Sequence, residues 1–216
     1  MNKLLADIAF FPPVEFFALL ARYPSVHLEA WSHYEKQSWR NRCRILCAGV
    51  PEDLTVPVIH GDDLFHTPVC RVKVDYDSTP WMHKTFKTIS TAYDSSPFFI
   101  YYKDELFSLL ESRPETLWEL DMEIIRFFCR KVGLLADVQP TVEFFTPQQL
   151  ASLPDSGGVD DYRGRLHPKR PCTVLADLGL EGRKYWQGDG TQAFVGGLSI
   201  MDLLFNEGPE SICFLK

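Results

Sequence analysis

Four basic residues and no acidic one stand in "KQSWRNRCRILCAG", residues 36–49, although the 216-residue chain carries a net charge of −7. Within it, Arg40, Arg42 and Arg44 alternate with Asn41 and Cys43. On a strand over 37–47 the three arginines share one face, about 7 Å apart. Planar guanidinium forks grip carboxylates and phosphates bidentately, so the stripe suits an extended anion such as a nucleotide's phosphates, with Asn41 beside it. On a helix, where Trp39, Cys43, Leu46 and Cys47 share a side, the arginines scatter and the cradle is lost. The plain alternative is a solvated face whose arginines pair with nearby Asp and Glu, each exposed pair contributing about 0–1 kcal/mol.

Proton-transfer chemistry has two candidates. Glu15 follows Pro12 and Pro13 in "FFPPVEFFALL", where the proline pair ends a strand and opens a helix. A helix N-terminus favours phosphate, and Glu15 there is either a general base or a partner of the macrodipole. His83, in "WMHKTFKTISTAY", is the second base candidate, with Lys84 placed to meet an anion and Tyr93 at the end of the same segment; both His83 and Lys84 also fit a solvated helix face. Asp202 and Asn206 lie four apart in "LSIMDLLFNEGP" and read as ligand contacts or as helix-terminal partners. Cys43 has arginine neighbours that would lower a thiol pKa, but no histidine close by in sequence. Cys43 and Cys47 with His33 or His27 match no zinc spacing, so no metal site is expected. "GLEG" and "GDG" are too short for phosphate loops, and no cofactor is named by any motif.

Composition bounds the setting. With 45% hydrophobic and 24% charged residues, the chain reads as a soluble globular protein, one domain over 1–216. The acidic balance argues against nucleic acid as a partner. Apolar runs such as "AFFPPVEFFALLA" are interrupted and fall short of the roughly 20 residues that a membrane span needs. The first eleven residues read as a buried strand and not as a signal peptide. Six scattered cysteines then point to reduced thiols in the cytoplasm.

These residues need elements to position them. The patterning predicts strands over 4–11, 26–30 and 54–59, an alternating strand over 70–76, and another over 141–145. It predicts helices after Pro13, Pro80, Pro97 and Pro114, the last ended by Gly133, with a short one at Pro147. "LSIMDLLFNEGP" predicts a helix capped by Ser199, with Asp202 as its capping-box partner. Residues 154–171 read as a long functional loop. Strands before a run of helices predict an α/β or α+β fold, its mixed sheet formed mainly by the N-terminal half with several helices packed on it.

Six stretches taken together resemble the WbqC-like family of proteins encoded in bacterial O-antigen clusters: "FFPPVEFFALL", "YEKQSWRNRCRI", "LTVPV", "WMHKTFKTISTAYDSSPFF", "HPKRP" and "LSIMDLLFNEGP". They span nearly the whole chain in order. The resemblance marks Pro13, Glu15, Asn41, Arg42, Arg44, Trp81, Lys84, Tyr93, Asp202 and Asn206 as motif residues. It implies a transferase of cell-surface polysaccharide (O-antigen, lipopolysaccharide) biosynthesis that attaches an amino acid such as glycine to a sugar. The partners would be a small anionic donor, either a nucleotide or an activated amino acid, and a sugar acceptor. The alternative is a non-catalytic anion- or nucleotide-binding assembly protein of envelope biosynthesis. The chain carries Phe where the family often has Tyr near Phe10 and Phe16, and "GDGTQAFVGGLS" departs from the usual approach to the last motif.

Overall fold

A computed structural model describes residues 2–61, 63–151, 158–181, 183–188 and 193–216. In chain order the elements are β1 (Lys3–Asp7), α1 (Val14–Arg22), β2 (Ser25–Glu29), β3 (Arg42–Cys47), β4 (Val50–Thr55), α2 (Trp81–Tyr93), α3 (Phe99–Glu111), α4 (Leu117–Val132), β5 (Asp137–Pro140), α5 (Pro147–Ala151), β6 (Val159–Asp161), α6 (Val174–Asp177), α7 (Ile200–Glu207) and α8 (Ser211–Leu215). A parallel four-stranded sheet runs β5-β2-β1-β6, and β3 and β4 form a separate antiparallel pair. The chain is α/β with helices packed on strands, as expected. Its parallel and antiparallel strands lie in two sheets.

Alternation decides which way each strand faces. Leu4 and Ala6 of β1, with Val26 and Leu28 of β2, enter the main core, whereas Leu5 and His27 turn to the opposite side of the sheet. Pro12 and Pro13 stop the ladder, and α1 follows with Phe16, Phe17, Leu19 and Leu20 all buried. Helix α1 is thus an interior helix, packed against the C-terminal helices α6, α7 and α8. Helix α4 begins in a full capping box, Thr116 with Glu119, and ends at Gly133 with φ 74°. Helix α2 packs on β3 through Trp81, Thr85, Ile89 and Tyr93, spaced at i, i+4, i+8 and i+12.

Several boundaries differ from the sequence reading, each for a physical reason. The expected strand over 37–47 begins only at Arg42, because Trp39–Asn41 form a 3-10 turn capped by Ser38. Strand β4 starts at Val50, earlier than 54–59, because Ala48 (φ 49°) and Gly49 (φ 77°) make a tight two-residue hairpin. Along 70–76 the alternation is real, with Val72 and Val74 buried between exposed Arg71 and Lys73. The stretch starts in a 3-10 turn, Val69–Arg71, and then forms isolated bridges, Val58 with Val74 and Lys73 with Thr116. The strand expected over 141–145 lies at β5 instead: pairing with β2 runs over 137–140, Thr141 N donates to Leu28 O (2.8 Å), and the Thr141 hydroxyl accepts from Ala30 N and donates to Glu29. Within the expected loop 154–171, residues 159–161 are β6, and 154–157 lie outside the described residues. So do 189–192 of "GDGTQAFVGGLS". Thr79 does not cap α2, whose N-cap is Pro80, and α3 and α4 open at Phe98 and Thr116.

Candidate functional site

The turn between β1 and α1 joins the first, second and last sequence motifs. Pro13 sits extended as the N-cap of α1 and bridges Ser199. Val14 N donates to Leu198 O (3.0 Å), Ile200 N to Pro12 O (2.9 Å) and Ser199 N to Arg44 O (2.7 Å). The segment 196–200 is therefore clamped between the proline turn and β3. Just before the prolines, Phe11 holds φ 40°, a left-handed conformation costly for a bulky residue. Its ring packs edge-on against Phe10 and Phe128, which holds the turn in place.

Beside this clamp lies a cleft of about 240 Å³, open to solvent and lined by residues including Glu15, Trp39, Arg44, His167, Arg170 and Gly197. Glu15 is 6% exposed. Its Oε1 accepts from Gly197 N at 2.9 Å, and its buried Oε2 has no partner among the described residues. Burial raises its pKa, against the opposing hydrogen bonds from its own and the Gly197 backbone N–H groups. The carboxyl thus keeps its proton further toward neutral pH than an ordinary glutamate. Arg44 lies across the cleft with its guanidinium over the Trp39 ring at 5.5 Å. It donates Nε and Nη2 to Asp53 at 2.8 and 3.3 Å. His167 has its pKa lowered, first by burial. Its Nδ1 accepts from Lys169 N (3.1 Å), which leaves the ring proton on Nε2 in the neutral form. The Cys172 thiol is pushed up to about 11 by burial and is not a ready nucleophile.

The three arginines do not share a face. Arg42 and Arg44 lie together on β3 opposite Thr55 and Asp53, with Arg42 Nη1 at 3.8 Å from the Asp53 carboxylate. Arg40, on the 3-10 turn, is buried and reaches Asp7 (2.9 Å) and Glu35 (3.1 Å). Asn41 is also buried; its Nδ2 donates to Val56 O (2.8 Å), which ties the turn to the end of the hairpin. Cys43 faces the core, and burial raises its pKa well above the usual thiol value. His83 and Lys84 occupy the exposed side of α2, opposite its packing face.

Tyr93, Asp202 and Asn206 form a second, interior group. Tyr93 Oη donates to Asp202 Oδ1 (3.1 Å), and Asn206 Nδ2 to Asp202 O (2.8 Å). Ser199 caps α7 through Met201 N, as expected of the cap. Asp202 is not its capping-box partner: the carboxyl points to Tyr93. Burial raises the Asp202 pKa to about 6, and Tyr185, Tyr93 and Gln187 temper the rise. Gln187 in turn bonds both backbone groups of Val195, each at 2.9 Å, so this group secures the loop that presents Gly197 to Glu15. Sequence reasoning left Trp39, His167, Arg170, Tyr185 and Gln187 out of the site. The basic run "HPKRP" was a signal for two of them; Tyr185 and Gln187 carried none.

In this α/β scaffold the strand–proline–helix turn, the arginine strand and the loop that leads into α7 meet at one cleft. The family model of the WbqC-like protein family matches residues 9–155, and the chain belongs to that family. It is also similar to "Uncharacterized protein Rv1507c" of Mycobacterium tuberculosis, 24% identical over 197 residues that cover 85% of this chain and 84% of the relative. No solved structure gives a significant match. Among the described residues, no helix is long and apolar enough to cross a membrane.

Proposed function

We propose that the chain is a group transferase of cell-surface polysaccharide biosynthesis, moving an activated acyl group such as an amino acid from an anionic donor to a sugar. The observation that carries this reading is Glu15: a buried carboxyl with one oxygen unpartnered among the described residues, on the wall of a cleft that also holds Arg44 and Arg170. A carboxyl with a raised pKa serves both directions of proton transfer, giving its proton to a leaving oxygen and taking one from the acceptor's hydroxyl or amine. The two guanidinium groups hold the donor's phosphate or carboxylate and stabilise charge that develops on it. In this reading Glu15 carries the proton and Arg44 and Arg170 bind. Arg42 supports Arg44 through their shared Asp53, and Asn41, Tyr93, Asp202 and Asn206 position the walls. His83 and Lys84 have no assigned part.

A thermal-shift screen against nucleotides, sugar nucleotides and amino acids tests the reading. Stabilisation by one donor class, lost in Arg44→Gln and kept in Glu15→Gln, is the expected pattern. Equal stabilisation of wild type and Arg44→Gln would contradict it.

A further inference from the structure

His167 opens the "HPKRP" run on the wall of the Glu15 cleft, a space of about 240 Å³. Residues 167–170 form a tight turn, closed by Arg170 N donating to His167 O (3.2 Å). Pro168 stands second in that turn, where its fixed φ is favoured. The imidazole folds over its own turn: Lys169 N donates to Nδ1 at 3.1 Å. Asn and Asp cap turns in the same way, with a side-chain oxygen accepting from the N–H two residues on. The cap commits Nδ1 as an acceptor, so the ring proton sits on Nε2, on the side of the ring away from the turn. No described residue accepts from Nε2–H, and the atom is not sealed from solvent.

The same turn carries Arg170 to the cleft, so one short segment fixes both this free donor and one of the two guanidinium groups of the anion site. Charging the ring would put a second proton on Nδ1, directly against the Lys169 N–H that bonds it. Burial is the largest influence holding the ring neutral, and Arg170, Lys169 and Arg40 add to it. The Glu35 carboxylate favours the charge, but it already accepts from Arg40 Nη1 at 3.1 Å. On the cleft side the ionisable neighbours are Glu15, Arg44 and Cys172. From this geometry we infer that His167 is an uncharged hydrogen-bond donor of the anion site, its Nε2–H bonding a phosphate or carboxylate oxygen of the ligand held by Arg44 and Arg170. The donor role rests on the reading of the cleft as an anion site. A neutral imidazole N–H suits an oxygen on which charge builds during transfer, because it stabilises that charge and keeps its own proton.

The test is an NMR titration of the full chain, carrying isotope-labelled histidine, with pyrophosphate near neutral pH, beside calorimetry on His167→Asn. His167→Asn separates the two roles of the ring. Asparagine still caps the Lys169 N–H, but its shorter amide does not carry a donor out to the ligand. In wild type, Nε2 holds the proton before and after saturation, and its resonance moves saturably with pyrophosphate. His167→Asn weakens binding about five-fold. The Nε2 readout comes from wild type and does not depend on how the variant folds. Unchanged affinity in His167→Asn, an unmoved Nε2 resonance at saturation, or a ring that takes a second proton on binding overturns the inference and leaves the Arg44–Arg170 site standing. No saturable pyrophosphate binding to wild type overturns that site and the donor role with it.

Discussion

Replacing Asp202 by Asn removes a titrating group from the middle of the protein while keeping its shape. Asp202 is 1% exposed, so ionising it in place is expensive despite its hydrogen bonds. Burial moves its pKa from 3.8 to about 6. At about 1.4 kcal/mol for each pKa unit, that displacement corresponds to about 3 kcal/mol. The sign follows from the raised value. Below pH 3.8 the carboxyl is protonated whether the chain is folded or unfolded, and folding loses nothing. Between 3.8 and about 6 the unfolded chain ionises while the folded one holds its proton, so stability falls with rising pH. Above about 6 the loss is complete. Wild type should therefore lose about 3 kcal/mol relative to Asp202→Asn between about pH 3.5 and 7.5. Urea unfolding of both proteins at half-unit pH steps measures this, because other groups cancel in the difference. A flat difference, or one that grows in favour of wild type with pH, refutes the reasoning.

Other substitutions probe separate parts of the account. Thr116→Ala breaks the capping box of α4 and should cost about 1 kcal/mol, read as a lowered urea midpoint with unchanged slope. Gly208 holds φ 55°, and an added Cβ would lie 2.5 Å from Phe98 Cδ1, so Gly208→Ala should destabilise by about 1–3 kcal/mol. Asp121 is fully buried, has no partner on either oxygen among the described residues, and has its pKa raised well above the ordinary aspartate value by burial. Asp121→Asn should accordingly gain stability over wild type as pH rises; a variant that instead loses ground above neutrality contradicts the burial argument.

Most helices were legible because their cues are local. Pro80 marked the start of α2, although Thr79 does not cap it, and Gly133 marked the end of α4. The strands were harder, because pairing depends on partners far along the chain. Strand β6 is three residues of "VDD", with nothing apolar to announce it beyond Val159, and exists because β1 has a free edge beside it. Pro51, Glu52 and Asp53 have little strand propensity, yet they pair with β3 once the Ala48-Gly49 turn is made. Glu15 and Arg44 were found through residue type and motif. Arg40 was assigned to the wrong face, because a one-residue change from strand to 3-10 turn redirects a side chain completely. Arg170 and His167 reach the cleft from a loop 150 positions beyond Glu15, a juxtaposition that only the fold supplies.

The central claim is that Arg44 and Arg170 form an anion site beside the buried Glu15, whose pKa burial raises. Isothermal titration of pyrophosphate into wild type and into the Arg44→Gln/Arg170→Gln double variant tests it most directly. The account predicts saturable, salt-sensitive binding to wild type, weakened at least about ten-fold in the double variant, with Glu15→Gln binding like wild type. Binding that survives the double substitution, or no saturable binding to wild type at low salt, would contradict it.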